Sequence, residues 1–151
     1  MGQQQLLLVI LVTIIVGIAT VVAINTFSAA ADSANLDAVR QDLVSIAASA
    51  QGYYMKPTAL GGGGQDFSSV DFNNLTFGGT VDSDDTAYNQ NGTYVITSTS
   101  TDQFQITAYP ASDDNYGTAP STAGGSMVYT IYQDDAEVTT SYTSGGTDTS
   151  G

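Results

Sequence analysis

The chain has no cysteine, no histidine and no tryptophan, and only two of its 151 residues, Arg40 and Lys56, are basic. Without Cys or His there is no disulfide, no thiolate nucleophile, no imidazole base, no haem attachment and little to hold a transition metal. Two cations set against fifteen acidic side chains give a net charge of −13. That balance excludes nucleic-acid binding by phosphate neutralisation and makes an anionic membrane surface repulsive. Proline is scarce too, and Pro57, Pro110 and Pro120 all lie past the first third of the chain. What remains is rich in Ser, Thr, Gly, Asn and Tyr, a composition that keeps an exported surface soluble without strong ionic contacts.

The one long hydrophobic run is at the start. After Gln3, Gln4 and Gln5, the nineteen residues 6–24 contain no charge and only two hydroxyls. As a helix they span about 29 Å, close to the hydrocarbon thickness of a bilayer. A secretory signal peptide would have a basic start and a shorter apolar region. Here the start is uncharged, although small residues around 19–34 leave cleavage there as an alternative.

Helical patterning continues past the apolar run. Leu36, Val39, Leu43, Ile46, Ala50 and Tyr53 recur at spacings of three and four, a single stripe on a helix. Asp32, Asp37, Arg40, Gln41 and Asp42 form its polar face. No Pro or Gly lies between Ile18 and Gln51, the first stop is Gly52, and Pro57 disfavours the α region for Lys56. The pattern predicts one helix from about Gln3 to Tyr54, on the order of 75–80 Å long, apolar all round and protruding in its first half, one-sided in its second.

At Gly61, Gly62, Gly63 and Gly64 the period changes from 3.6 to 2. The glycines read as a flexible turn and not as a phosphate loop, since no Gly-Lys-Ser/Thr follows and no strand precedes. Val70, Phe72, Leu75 and Phe77 make an irregular apolar stretch, a loop or short strand. Residues 93–98 and 103–109 alternate well, with a hairpin turn at 99–102, and 127–132 is a third strand. Val138, Thr140 and Tyr142 suggest a fourth after a turn at Asp134 and Asp135. Residues 110–125 read as a surface loop, and 143–151 as a flexible tail. The expected class is α+β: a long N-terminal helix whose amphipathic half packs on a small antiparallel sheet of three to four strands. The expected core is Leu43, Ile46, Tyr94, Ile96, Phe104, Ile106, Tyr129 and Ile131. The expected divisions are an apolar helix over 1–27, a globular part over 28–142 and the tail.

No catalytic constellation emerges, and no cofactor or metal is expected. Asp82, Asp84 and Asp85, like Asp113, Asp114 and Asn115, offer hard oxygen ligands but lack the spacing of a calcium loop, and read as solvated acidic loops. No two carboxylates are identifiable as a buried glycosidase pair. Phe27, Tyr53 and Tyr54 read as packing residues on the helix. Asn74-Leu75-Thr76 and Asn91-Gly92-Thr93 match the N-glycosylation acceptor pattern, so Asn74 and Asn91 are candidate glycan sites.

A long helix, apolar and then amphipathic, followed by a glycine-rich loop and antiparallel strands, resembles the type IV pilin superfamily, which includes bacterial and archaeal pilins and the pseudopilins of type II secretion. The resemblance implies a non-enzymatic structural subunit, the major pilin of an extracellular filament. Its partners would be identical subunits in a helical homopolymer and, before assembly, the inner or cytoplasmic membrane. The same helix would serve both environments. Assembly would run through Gln5, Leu6, Leu7, Val9 and Ile10, and then Ile14, Gly17, Ile18 and Val21. Prepilin peptidases cut after a glycine, so Gly2 is the candidate cleavage residue and Gln3 the first mature one. Alternatively Met1 is the mature start, and Gln5 then stands where bacterial pilins typically carry a glutamate. On either reading Gln3, Gln4 or Gln5 is left to accept the bond that a carboxylate takes from a neighbour's N-terminal amine in the family. The cysteine pair of many bacterial pilins has no counterpart, and neither does the helix breaker of their apolar half. An unbroken helix from about Gln5 through Ala50 is therefore expected. The alternatives are a pseudopilin, or a monomeric ectodomain on a single membrane span.

Overall fold

A 54-residue α-helix, α1, spans Gly2–Met55 in the computed structural model, which describes residues 2–113 and 125–143. It is unbroken, as its lack of proline predicts, and it passes through Gly17 and Gly52, where an added Cβ would meet nothing within 4 Å beyond the helix's own backbone. The helix stops at Met55, three residues past the expected breaker Gly52. One interior glycine costs only about 1 kcal/mol, and here the stop is made by Pro57 and the glycine run. The chain falls into two compact units, Met1–Ala34 and Asn35–Gly151. α1 supplies the described part of the first and opens the second.

The glycine run is a bonded cap rather than a free turn. Tyr53 and Lys56 carbonyls near the end of the helix accept from the N–H groups of Gly63 and Gly64, at 2.8 and 2.9 Å, and the Tyr54 carbonyl accepts from Gln65. Gly61 and Gly62 donate to Thr58 and Pro57 in the short 3-10 turn Thr58–Leu60. Terminal carbonyls that no further helical turn can bond are thereby engaged. Gly64 has a φ of 62°, and a Cβ on Gly62 would overlap the Lys56 carbonyl oxygen, so the path requires glycine there.

Six strands form one antiparallel meander in chain order: β1 Thr80–Ser83, β2 Thr86–Tyr88, β3 Gly92–Thr99, β4 Gln103–Pro110, β5 Ser126–Tyr132 and β6 Ala136–Thr143. The four predicted strands are β3 to β6. The extra pair, β1 and β2, corrects the expected count. β1 is short, exposed throughout and bulged between Val81 and Ser83, which blunts an open sheet edge. Pro110 ends β4 and a 3-10 turn follows over Ala111–Asp113. Residues 114–124 of the expected surface loop, and 144–151 of the expected tail, lie outside the described residues. Thr143, placed in the tail by sequence, ends β6.

Register carries the inward side chains across the sheet in rows. Tyr94 pairs with Ala108 and Ala108 with Met127; Ile96 pairs with Ile106 and Ile106 with Tyr129; Phe104 pairs with Ile131. These residues form one buried cluster with Val39, Leu43, Ile46, Ala47 and Ala50 of α1, and all eight expected core residues are in it. The irregular stretch forms no strand, yet it fills one end of the core. Phe67, Val70, Phe72 and Leu75 are buried, and the Phe67 ring lies 4.7 Å from Tyr54 and 5.1 Å from Phe104.

Candidate functional site

The first unit buries almost nothing of its own. Every Leu, Ile and Val over residues 6–24 is at least 47 % exposed, and Phe27 is 77 % exposed. The described residues thus leave Phe27 largely uncovered, whereas Tyr53 and Tyr54 are core residues. A single helix cannot do otherwise when its apolar side chains fall on every face. Four of the unit's five side-chain hydroxyls are already occupied: Thr13, Thr20, Thr26 and Ser33 donate to the carbonyls of Val9, Val16, Val22 and Ala29, at 2.7, 2.8, 2.9 and 3.0 Å. The two hydroxyls within residues 6–24, Thr13 and Thr20, therefore need neither water nor a partner. By length and composition the helix is able to cross a membrane, and Asp32 is the first charged residue of the sequence.

The expected assembly residues Gln5, Leu6, Leu7, Val9, Ile10, Ile14, Gly17, Ile18 and Val21 all lie exposed along this helix. Gly2 and Gln3 are its first two residues.

A second concentration of polar chemistry lies in the other unit, and sequence reasoning missed it. Asp42, expected on the solvated face, is half-buried, and its Oδ2 accepts three hydrogen bonds. The donors are Tyr94 OH at 2.7 Å, Asn89 Nδ2 at 2.7 Å and Asn91 Nδ2 at 2.8 Å. Asn35, two turns earlier on α1, donates to the Asn91 carbonyl at 2.9 Å, and the Ala111 N–H donates to the same oxygen at 2.8 Å. Together these bonds clamp the β2–β3 turn to the helix. Burial, reinforced by the Asp42 carboxylate, pushes the Tyr94 hydroxyl well above its ordinary value. Asp42 is spaced three from Val39 and four from Ile46, which places it on the buried stripe. That spacing was the available signal.

Asp42 also borders a groove of about 440 Å³ lined by Gly78, Gly79, Tyr88 and Asn89. The carboxylate oxygen that Asn89 reaches is committed to protein donors. Among the described residues no three His, Cys, Asp or Glu side chains are grouped to hold a metal ion. The acidic runs are used locally. Asp84 Oδ1 accepts from Asn73 Nδ2 at 2.8 Å in the β1–β2 turn, and Asp135 Oδ1 accepts from the Ala136 N–H at 2.7 Å in the β5–β6 turn. Asp114 and Asn115 lie outside the described residues. Arg40 pairs with Asp37 at 2.7 Å, both side chains half or more exposed, so the pair adds little stability.

No family model, curated protein or solved structure matches this chain.

Proposed function

We propose that this chain is a structural subunit, the major pilin of an extracellular type IV pilus-like filament. It polymerises with identical copies through residues 6–24, and the same residues hold it in the inner or cytoplasmic membrane before assembly. The observation that carries this reading is the contrast between the units. Residues from Asn35 onward close a core of their own, while the apolar helix before them leaves its large side chains uncovered. Burying one such side chain is worth about 1.5–3 kcal/mol. Apolar surface on this scale therefore requires lipid or protein around it. Like helices and lipid tails are interchangeable surroundings for residues 6–24, whose two hydroxyls, on Thr13 and Thr20, are both bonded within the helix. Gly17, Ala19, Thr20 and Ala23 are small enough to admit a close neighbour.

A membrane-anchored monomer is the second reading, favoured by the length match to a bilayer. Sedimentation separates the two. The full chain and a chain truncated to begin at Ser28 are compared at neutral pH after detergent removal. The truncated chain should sediment as a monomer and the full chain should pellet as thin fibres visible by negative stain. Fibres from the truncated chain would remove the helix from assembly. A full chain that only enters vesicles, one copy at a time, would favour the anchor.

A further inference from the structure

We infer that Asn74 is an N-glycosylation site of the folded chain and that Asn91, within the same Asn-X-Thr pattern, is not one. This inference is independent of whether the chain polymerises. The two acceptor patterns are equivalent in sequence, and the fold makes them opposite in chemistry.

Asn74 closes an exposed turn outside any helix or strand. Its backbone N–H donates to Asp71 Oδ1 at 2.8 Å, and its side-chain amide has no hydrogen-bond partner among the described residues. Thr76 is also exposed, and its backbone N–H is held by Ser49 Oγ at 2.7 Å. Buried Phe72 and Leu75 fix the turn on either side. The acceptor nitrogen and the hydroxyl two residues on are thus presented together at the surface.

In Asn91 the nitrogen that would take the sugar is the one donating to Asp42 Oδ2 at 2.8 Å. Its carbonyl is held by Asn35 and Ala111, and its N–H by Asn89 Oδ1 at 2.9 Å. Thr93 is buried inside β3, paired with Tyr88 on one side and Tyr109 on the other. Glycosylation there requires the clamp to open and the strand to leave the sheet.

The co-substrate is a polyprenyl-phosphate-linked or polyprenyl-diphosphate-linked oligosaccharide. Asn74 Nδ2 attacks the anomeric carbon, the C–O bond to phosphate breaks with its electron pair leaving on the phosphate, and the amide proton passes to a base of the transferase. The product is an N-glycosidic bond on a surface turn.

The test incubates the folded full chain in detergent with such a lipid-linked oligosaccharide and an oligosaccharyltransferase, beside synthetic peptides 71–81 and 85–101. Cleavage before aspartate gives those same two fragments from the protein, one carrying Asn74 and the other Asn91. With both peptides accepted, mass spectrometry of the folded chain should show occupancy at least about tenfold higher at Asn74, because at least one charge-assisted hydrogen bond must break before Asn91 can react. Thr76→Ala should abolish the modification of fragment 71–81. Equal occupancy of the two sites in the folded chain would overturn the inference, and so would an unmodified 71–81 fragment when its peptide is accepted.

Discussion

Replacing Asp42 by alanine tests whether the polar clamp between α1 and the β2–β3 turn holds the second unit together. The carboxylate receives three short bonds at one oxygen. Hydrogen bonds to a charged group contribute about 1.5–3 kcal/mol each, and their losses do not add. The donors left behind differ. Asn89 and Asn91 are half-buried and able to turn to water, whereas Tyr94 is wholly buried. Stranding its hydroxyl costs about 1–3 kcal/mol, and a further 1 kcal/mol or so from the two amides brings the expected loss to about 2–4 kcal/mol. Urea unfolding of the chain beginning at Ser28 reads this as a lower midpoint at unchanged m-value. Tyr94→Phe removes the stranded donor and keeps the edge contact of its ring with Phe77, 5.3 Å between centroids. Asp42→Ala should therefore cost less in the Tyr94→Phe background, with a coupling of about 1–3 kcal/mol. A single-mutant loss below about 0.5 kcal/mol, or no coupling, would refute the clamp.

Alkaline pH acts on the same group. Because the folded chain keeps the Tyr94 proton above the ordinary value near 10, the unfolded chain loses it first, and stability falls as pH rises past about 10, by roughly 1.4 kcal/mol per pH unit for this residue. Tyr94→Phe should flatten the decline by about 1 kcal/mol in urea titrations between pH 10 and 11, where the unfolded side chain is only partly ionised at the start, and an unchanged slope would contradict the assignment. Ile46, fully buried between helix and sheet, should cost about 2–5 kcal/mol on truncation to alanine; a loss under about 0.5 kcal/mol in the same assay would place it outside the core.

The parts of the fold that were legible in the sequence are those where one rule acts alone. A helix free of proline, apolar all round and then on one stripe, follows from spacing, and so do the alternating strands β3, β4 and β5. The β1–β2 hairpin escaped because β1 has a single apolar residue, Val81, and is exposed on both faces, so it carries no alternation to detect. Phe67 escaped because it sits among Gly, Asp and Ser residues with no period, although it joins Tyr54 to Phe104 in the core. Asp42 was misplaced because a carboxylate next to Arg40 and Gln41 reads as solvated; its partners come from 47 to 52 residues away, and their approach depends on the fold. The two acceptor asparagines were indistinguishable for the same reason. For the apolar helix, sequence and structure carry nearly the same information, since its side chains touch little within the chain.

Helical reconstruction of fibres sheared from the surface of cells producing this chain shows directly whether residues 6–24 build the filament. Continuous helical density should run over residues 5–50, with residues 6–24 of each copy packed on the same residues of its neighbours at the filament axis. Fibres joined through the sheet edges, with residues 6–24 absent from the axis, would contradict it.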